Sequence, residues 1–296
     1  MAGVVLLAGG TGGAKLARGL LDELGSDLAV IDNTGDDLEI YGAYVSPDPD
    51  MVTFWLADAI DERGWGLKDD TFAAMDQLRR LGQDVWFNLG DRDLAIGLHR
   101  AGRLANGARL TEAIEDLRRA FGVPAQVLVP SDEPVRTHVR VAGRWHEFQD
   151  FMIRSRGEIE DVEFRGAPAE PAPEAVAALR DARAIIVGPS NPVISIDPIL
   201  AVLREEVRAA EAPVVAVSPL VHGQVLKGPT AEFLTWAGRS LDSDGIAAHY
   251  AGLIDGLVAD QRAEHVPTLE TEVELNDPAA RRRVAREVLE FAAALA

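Results

Sequence analysis

Residues 4–15 read Val4-Val5-Leu6-Leu7-Ala8-Gly9-Gly10-Thr11-Gly12-Gly13-Ala14-Lys15. An unbroken apolar run of this kind makes a strand buried on both faces, the condition of a central parallel sheet. The glycines behind it permit a tight turn and let backbone N–H groups approach an anion, while the following helix adds partial positive charge at its start. That helix is expected over 14–24, with Leu16, Leu20, Leu21 and Leu24 on one face. Gly10, Thr11, Gly12, Gly13 and Lys15 are thus the expected phosphate-binding residues. The turn is not a Walker A loop, because no Lys-Ser or Lys-Thr pair follows at the right spacing. As a dinucleotide fingerprint it is incomplete, since Lys15 stands at the third glycine position.

Working outward, short β-branched runs alternate with helical patterns, the mark of parallel βαβ units. Strands are expected over 28–31, 184–187 and 214–217, and a helix over 198–209. The middle differs. Helices are expected over 52–60, 70–81, 94–101 and 110–121, with Thr111 or Asn106 capping the last. Residues 136–141 and 145–149 alternate around Ala142-Gly143 as a β-hairpin, and 167–173 form a Pro/Ala-rich connector. A closing amphipathic helix spans 277–295 with Pro278 in its first turn. The expected fold is α/β: one domain over 1–296, with a Rossmann-like parallel-sheet core at about 1–50 and 174–296. A mostly helical subdomain plus the hairpin is inserted at about 51–173.

The 296 residues carry a net charge of −19, spread along the chain, which argues against a nucleic-acid groove. With no cysteine, thiolate catalysis and Cys-ligated zinc are excluded. No segment reaches the roughly 18 apolar residues of a membrane span, and the first strand has no basic leader before it, so a cytoplasmic location is expected. The 29 basic residues include only three lysines, Lys15, Lys68 and Lys227. The six histidines show no paired ligand spacing, and His222 is the one on a crevice loop.

Loops after parallel strands share one crevice at the carboxyl edge of the sheet. Into it come Asn33-Thr34-Gly35-Asp36-Asp37 and Ser46-Pro47-Asp48-Pro49-Asp50. Carboxylates gathered beside a phosphate loop repel each other and the ligand unless a cation intervenes, and Mg²⁺ takes one or two carboxylates plus phosphate oxygens. Solvated turn acids are the plain alternative. Trp86-Phe87-Asn88-Leu89-Gly90-Asp91-Arg92-Asp93 suits a pocket for a planar polar ring with Arg92 held by carboxylates, or a helix start capped by Asp91 or Asp93. Residues 188–198 place Ser190 and Asn191 in the crevice before a helix, without the order of a nucleophile elbow. Residues 218–229 bring Lys227 to the same edge.

These segments, with Gly64-Trp65-Gly66, Ser131-Asp132, Pro134-Val135 and Phe148-Gln149, resemble in order the 2-phospho-L-lactate transferase family of coenzyme F420 biosynthesis, called CofD in archaea and FbiA in actinobacteria. The resemblance implies a homodimeric, Mg²⁺-dependent phosphotransferase. It would move a phospholactyl or phosphoenolpyruvyl group from a guanosine diphosphate-linked donor to the ribityl hydroxyl of the deazaflavin Fo, releasing GMP. By motif, Asp50 and Asn88, beside Arg92, correspond to deazaflavin contacts, and the glycine turn and residues 188–192 to the nucleotide-phosphate side. Asp37 and Asp50 are then the expected Mg²⁺ ligands, and Lys15 helps to hold the diphosphate. The proton of the attacking hydroxyl goes to Asp50 or Asp36. The bacterial look of Gly64-Trp65-Gly66 leans toward the enolpyruvyl donor.

One departure stands out: where the family commonly shows Thr-His after 90–95, this chain has Ile96-Gly97. Two other readings compete. A regulator similar to the YvcK family would bind a nucleotide-sugar without turnover, and a nicotinamide-dependent dehydrogenase would need the missing third glycine.

Overall fold

The computed structural model describes residues 3–296. Its centre is a seven-stranded sheet in the order Thr268–Glu270, Gly256–Ala259, Val214–Val217, Ala184–Val187, β1 (Val4–Ala8), β2 (Leu28–Asp32) and Gln126–Leu128, with every neighbouring pair parallel. β1, β2, Ala184–Val187 and Val214–Val217 are buried along their whole length, as continuous apolar runs require. From β1 the chain winds first toward β2 and later returns on the opposite side through Ala184–Val187, so strand order reverses there. The carboxyl ends at that reversal are where an open α/β sheet leaves a crevice.

Helix α1 (Gly10–Leu24) begins four residues earlier than its apolar periodicity indicates. The glycines are its first turn rather than a loop before it. Gly9, extended, is the N-cap, and Gly10 takes a left-handed φ of 63°. The loop after Ala184–Val187 leaves no room for side chains here: a Cβ on Gly12 would strike the Pro189 carbonyl oxygen, and one on Gly13 would lie 2.8 Å from Ser190 Oγ.

A small antiparallel pair, β3 (Leu38–Ile40) and β4 (Ala43–Val45), follows β2. Helix α2 (Pro47–Leu56) then starts before the expected 52–60, because Pro47 sits in its first turn with φ already set for a helix. Helices α3 (Ala73–Arg80) and α4 (Asp91–Ala105) cap each other. Asp70 accepts from the backbone N–H of Arg92 and Asp93, while Asp91 accepts from Thr71 Oγ1 and the N–H of Ala73 and Ala74. Asp70 therefore precedes α3 instead of opening it, and the cap of α4 itself is Gly90. Helix α5 (Leu110–Ala120) is capped by neither Thr111 nor Asn106. Its N-cap is Arg109, whose N–H donates to Glu112, while Asp132 accepts from the Thr111 N–H.

The expected hairpin forms, Arg136–Val141 with Arg144–Glu147, and gains a third antiparallel strand, Asp161–Arg165. The stretch 51–173 also re-enters the core once, as the edge strand Gln126–Leu128. The closing helix, Pro278–Leu295, is capped by the Asp277 carboxylate and lies on α1. No described helix is long and apolar enough to cross a membrane.

The α1 contact with the closing helix is tight at Gly19, where a Cβ would collide with the Arg281 carbonyl oxygen. Gly19→Ala is expected to lower stability by about 1–3 kcal/mol through forced helix separation, read from urea unfolding. An unchanged midpoint would show that the helices separate freely.

Candidate active site

A cavity of about 500 Å³ opens at the strand reversal. One wall is the start of α1: Gly9, Gly10, Thr11 and Gly12, with Lys15 a turn further on. The facing wall is Pro189, Ser190 and Asn191, and Asp36 and Asp48 form the acidic side. Ser190 Oγ accepts from the Gly9 N–H at 3.2 Å, tying the walls together. Asn191 Oδ1 accepts from the N–H of Val193, turning the chain into the π-helix Pro192–Ile196. Its Nδ2 is buried with no acceptor among the described residues, a donor left over in the wall of the cavity. Buried polar groups are rarely left unpaired, so such a donor marks a place for a ligand atom or water.

The basic side is equally unbalanced. Burial lowers the Lys15 pKa, and the nearby charges of Lys227 and Arg281 lower it further. Lys15 and Lys227 both line the cavity. Cations that repel each other in a cleft gain from an anionic ligand between them.

Five aspartates crowd the end of β2 and the start of α2, and their surroundings differ. Asn33 Nδ2 donates to Asp36 at 3.1 Å and to Asp48 at 2.9 Å. Asp48 also accepts from the Gly10 N–H at 2.9 Å, so one amide of the helix start is already engaged by protein. Burial raises the pKa of both, and the charge of Asp48 raises Asp36 further. Asp37 accepts from Ser46 Oγ (2.6 Å) and Tyr44 Oη (3.1 Å), and Arg136 Nη2 donates to Tyr44 Oη (2.6 Å). Burial still pushes Asp37 up to about 6. Asp50 is gripped by both terminal nitrogens of Arg100, a guanidinium only 1% exposed that also donates to the Tyr44 carbonyl. Asp32 is fully buried, and neither carboxylate oxygen has a partner among the described residues, so burial holds its pKa well above the ordinary range.

The structure therefore brings Gly10, Thr11, Gly12, Lys15, Asp36, Ser190 and Asn191 to one cavity and sets Gly13 beneath Ser190. Asp37 and Asp50 stand outside its lining, each already held by protein donors. Asn88 and Arg92 also lie outside it, on the α3–α4 side: Asn88 Oδ1 accepts from Arg79, and Arg92 donates to the Lys68 carbonyl. Asp48 and Lys227 join the lining, Asn33 bridges Asp36 and Asp48 behind it, and Arg100 holds Asp50 beside it. Asp48 and Lys227 lay in stretches already singled out, whereas nothing local to Arg100 announces its role.

Gly97 explains how Arg100 reaches Asp50. A Cβ there would lie 2.9 Å from Ala43 Cβ and 3.2 Å from the Tyr44 carbonyl oxygen. Only a glycine lets α4 approach β4 this closely, which makes the Ile96-Gly97 departure a packing feature as well. Beside this pair lies Asp93. Burial, then the charges of Asp50 and Asp70, push it up to about 7, and its buried Oδ1 has no partner among the described residues.

Among the described residues, no group of three or more His, Asp or Glu is arranged to hold a metal by itself. Two carboxylates and ligand phosphates remain the arrangement to which Mg²⁺ is suited.

The model of the family described as 2-phospho-L-lactate transferase CofD matches residues 4–290. A phosphoenolpyruvate transferase of Kitasatospora aureofaciens is 37% identical, over 95% of this chain and 97% of its own. A 2-phospho-L-lactate transferase of Methanosarcina mazei is 36% identical over 88% and 87% of the two chains, and one of Methanocaldococcus jannaschii 34% identical over 99% of both. Among solved structures, a UPF0052 family member from Bacillus halodurans superposes with a TM-score of 0.64 at 17% identity, covering 97% of this chain and 98% of that one. That likeness is one of fold.

Asp37 and Asp93 bind protons more tightly folded than unfolded, where the carboxyl pKa is about 3.9. Their stabilisation is complete below about pH 4 and is lost as pH rises through about 6 to 7. The thermal midpoint of metal-free protein is expected to fall from pH 5 to pH 8, and Asp93→Asn to flatten the upper part of that fall. A midpoint level across this range would mean that the acids ionise without penalty.

Proposed function

The chain belongs to the 2-phospho-L-lactate transferase CofD family, and on that premise we propose that it transfers a 2-phospholactyl or phosphoenolpyruvyl group from a guanosine diphosphate-linked donor to the deazaflavin Fo. The observation that carries the reading is the opposition of charge within one cavity. The α1 start, Lys15 and Lys227 face Asp36 and Asp48 across a space fit for a diphosphate.

In the transfer, the acceptor hydroxyl oxygen bonds to the distal phosphorus and the bridging P–O bond to GMP breaks. Such a reaction needs alignment and charge neutralisation more than a protein nucleophile. Free N–H groups of the first α1 turn and the spare Asn191 Nδ2 supply donors to phosphate oxygens, and Lys15 and Lys227 supply positive charge. Asp36 and Asp48 are the carboxylates that would hold Mg²⁺, because they line the cavity and have only neutral donors for partners. Bound there, the ion would neutralise phosphate charge and polarise the transferred group. Asp50, fixed by Arg100, would orient the acceptor, and the proton of the attacking hydroxyl passes to a carboxylate of this acidic side. A homodimer in the cytoplasm is the setting this family reading implies.

The test is purified protein with Fo, Mg²⁺ and each guanylylated donor, following GMP and product mass. GMP release that requires Fo and is lost with EDTA is expected. Asp48→Asn and Asp50→Asn should each lower turnover about 10²–10³-fold, the scale for losing one preorganised polar group of a site. No product with any donor would defeat the assignment, and near wild-type turnover of both variants would remove these roles.

A further inference from the structure

Residues 61–67 form a tight loop closed at its base by the Ile60–Leu67 bridge and by the Asp61 N–H donating to the Gly66 carbonyl at 3.0 Å. Gly64 and Gly66 take left-handed φ values of 86° and 69°, conformations that favour glycine. Their positions link the two halves of the site. A Cβ on Gly64 would lie 3.8 Å from Lys227 Nζ, which lines the nucleotide cavity. A Cβ on Gly66 would lie 3.2 Å from Asp93 Oδ2, and Asp93 feels the charge of Asp50.

Between these glycines stands Trp65, 47% exposed. It joins none of the apolar clusters of the described residues. An indole normally buries most of its large apolar surface, so one this exposed and outside the apolar clusters calls for another explanation. Its ring is nevertheless held. The Arg63 guanidinium lies 4.2 Å from the ring centroid, and Asp61 in turn accepts from Arg63 Nε at 2.5 Å. A ring fixed by a cation on one face, with open surface elsewhere, is suited to stack a second planar ring.

We propose that Trp65 is the stacking platform for the planar heteroaromatic ring of the acceptor. The platform is set by residues 61–67 between the nucleotide cavity and the Asp50–Arg100 pair. This rests on the transfer reading and adds to it the group that selects a flat aromatic acceptor. Stacking is tolerant of ring substituents, so selectivity for particular functional groups falls to the polar residues around it.

The experiment is titration of Fo into the donor-free wild-type chain and the Trp65→Phe and Trp65→Ala variants, reading deazaflavin and tryptophan fluorescence, followed by steady-state kinetics. Trp65→Ala is expected to weaken Fo binding and raise its KM about five- to a hundredfold, the scale of one base-aromatic stack. The donor KM should change less than about twofold. Trp65→Phe should recover most of the loss, which a merely structural loop residue would not require. Equal Fo affinity in wild type and Trp65→Ala overturns the platform and leaves the transfer reading standing. No Fo binding by the wild type overturns both.

Discussion

The carbonyl of Pro189 occupies the space where a side chain on residue 12 would stand, and the site follows from that contact. It brings the start of α1 against the loop after Ala184–Val187, joining residues 181 positions apart through the bond from the Gly9 N–H to Ser190. The strand reversal makes the crevice, but glycines at 12 and 13 determine how narrow it is. A bulkier turn would hold the two loops apart, and the amides of one and the amide side chain of the other would then face different volumes. Gly9, Gly12 and Gly13 thus act through the side chain they lack, and Gly9 also donates its N–H to Ser190, whereas Gly10 serves through its left-handed backbone and its N–H to Asp48.

Around that contact, the structure concentrates carboxylates and treats each as a separate electrostatic problem. Two have strong protein partners: Asp50 has a buried guanidinium, and Asp37 has two hydroxyls with Arg136 behind them. Two have only neutral donors among the described residues, and these are the two that line the cavity. Breaking a buried ion pair from one side leaves an uncompensated charge, so Asp50 and Arg100 form a fixed unit. Asp36 and Asp48 are the acids with capacity to spare. This division separates acids that shape the wall from acids available to a ligand.

The core strands and the crevice loops were legible because their signals are local. Unbroken β-branched runs such as 184–187 are one, and a glycine turn directly after a strand is another. The start of α1 is invisible in the apolar periodicity because glycine contributes nothing to it, while the need for glycine at residue 12 comes from Pro189, far away in sequence. The edge strand Gln126–Leu128 and the strand Asp161–Arg165 are short and partly exposed, and their pairing partners are remote in sequence. Local sequence offers Thr111 or Asn106 as the cap of α5, while the carboxylate that takes the Thr111 N–H, Asp132, arrives from 21 residues away. The site divides in the same way. Lys15, Ser190 and Asn191 follow from placement after strands, but the choice among Asp36, Asp37, Asp48 and Asp50 turns on Arg100 and Arg136, which reach them only in three dimensions.

The reciprocal caps of α3 and α4 have a consequence for motion. Asp70 satisfies the first amides of α4, and Asp91, inside α4, satisfies those of α3, so neither helix can fray at its start without exposing the other. The two helix starts are therefore coupled, and loss of either carboxylate frees amides on the other helix. Arg100 lies on the same helix as one of these starts, and it is from there that it holds Asp50. Amides at the starts of α3 and α4 therefore share their protection, and the order of this lobe bears directly on the helix that carries Arg100.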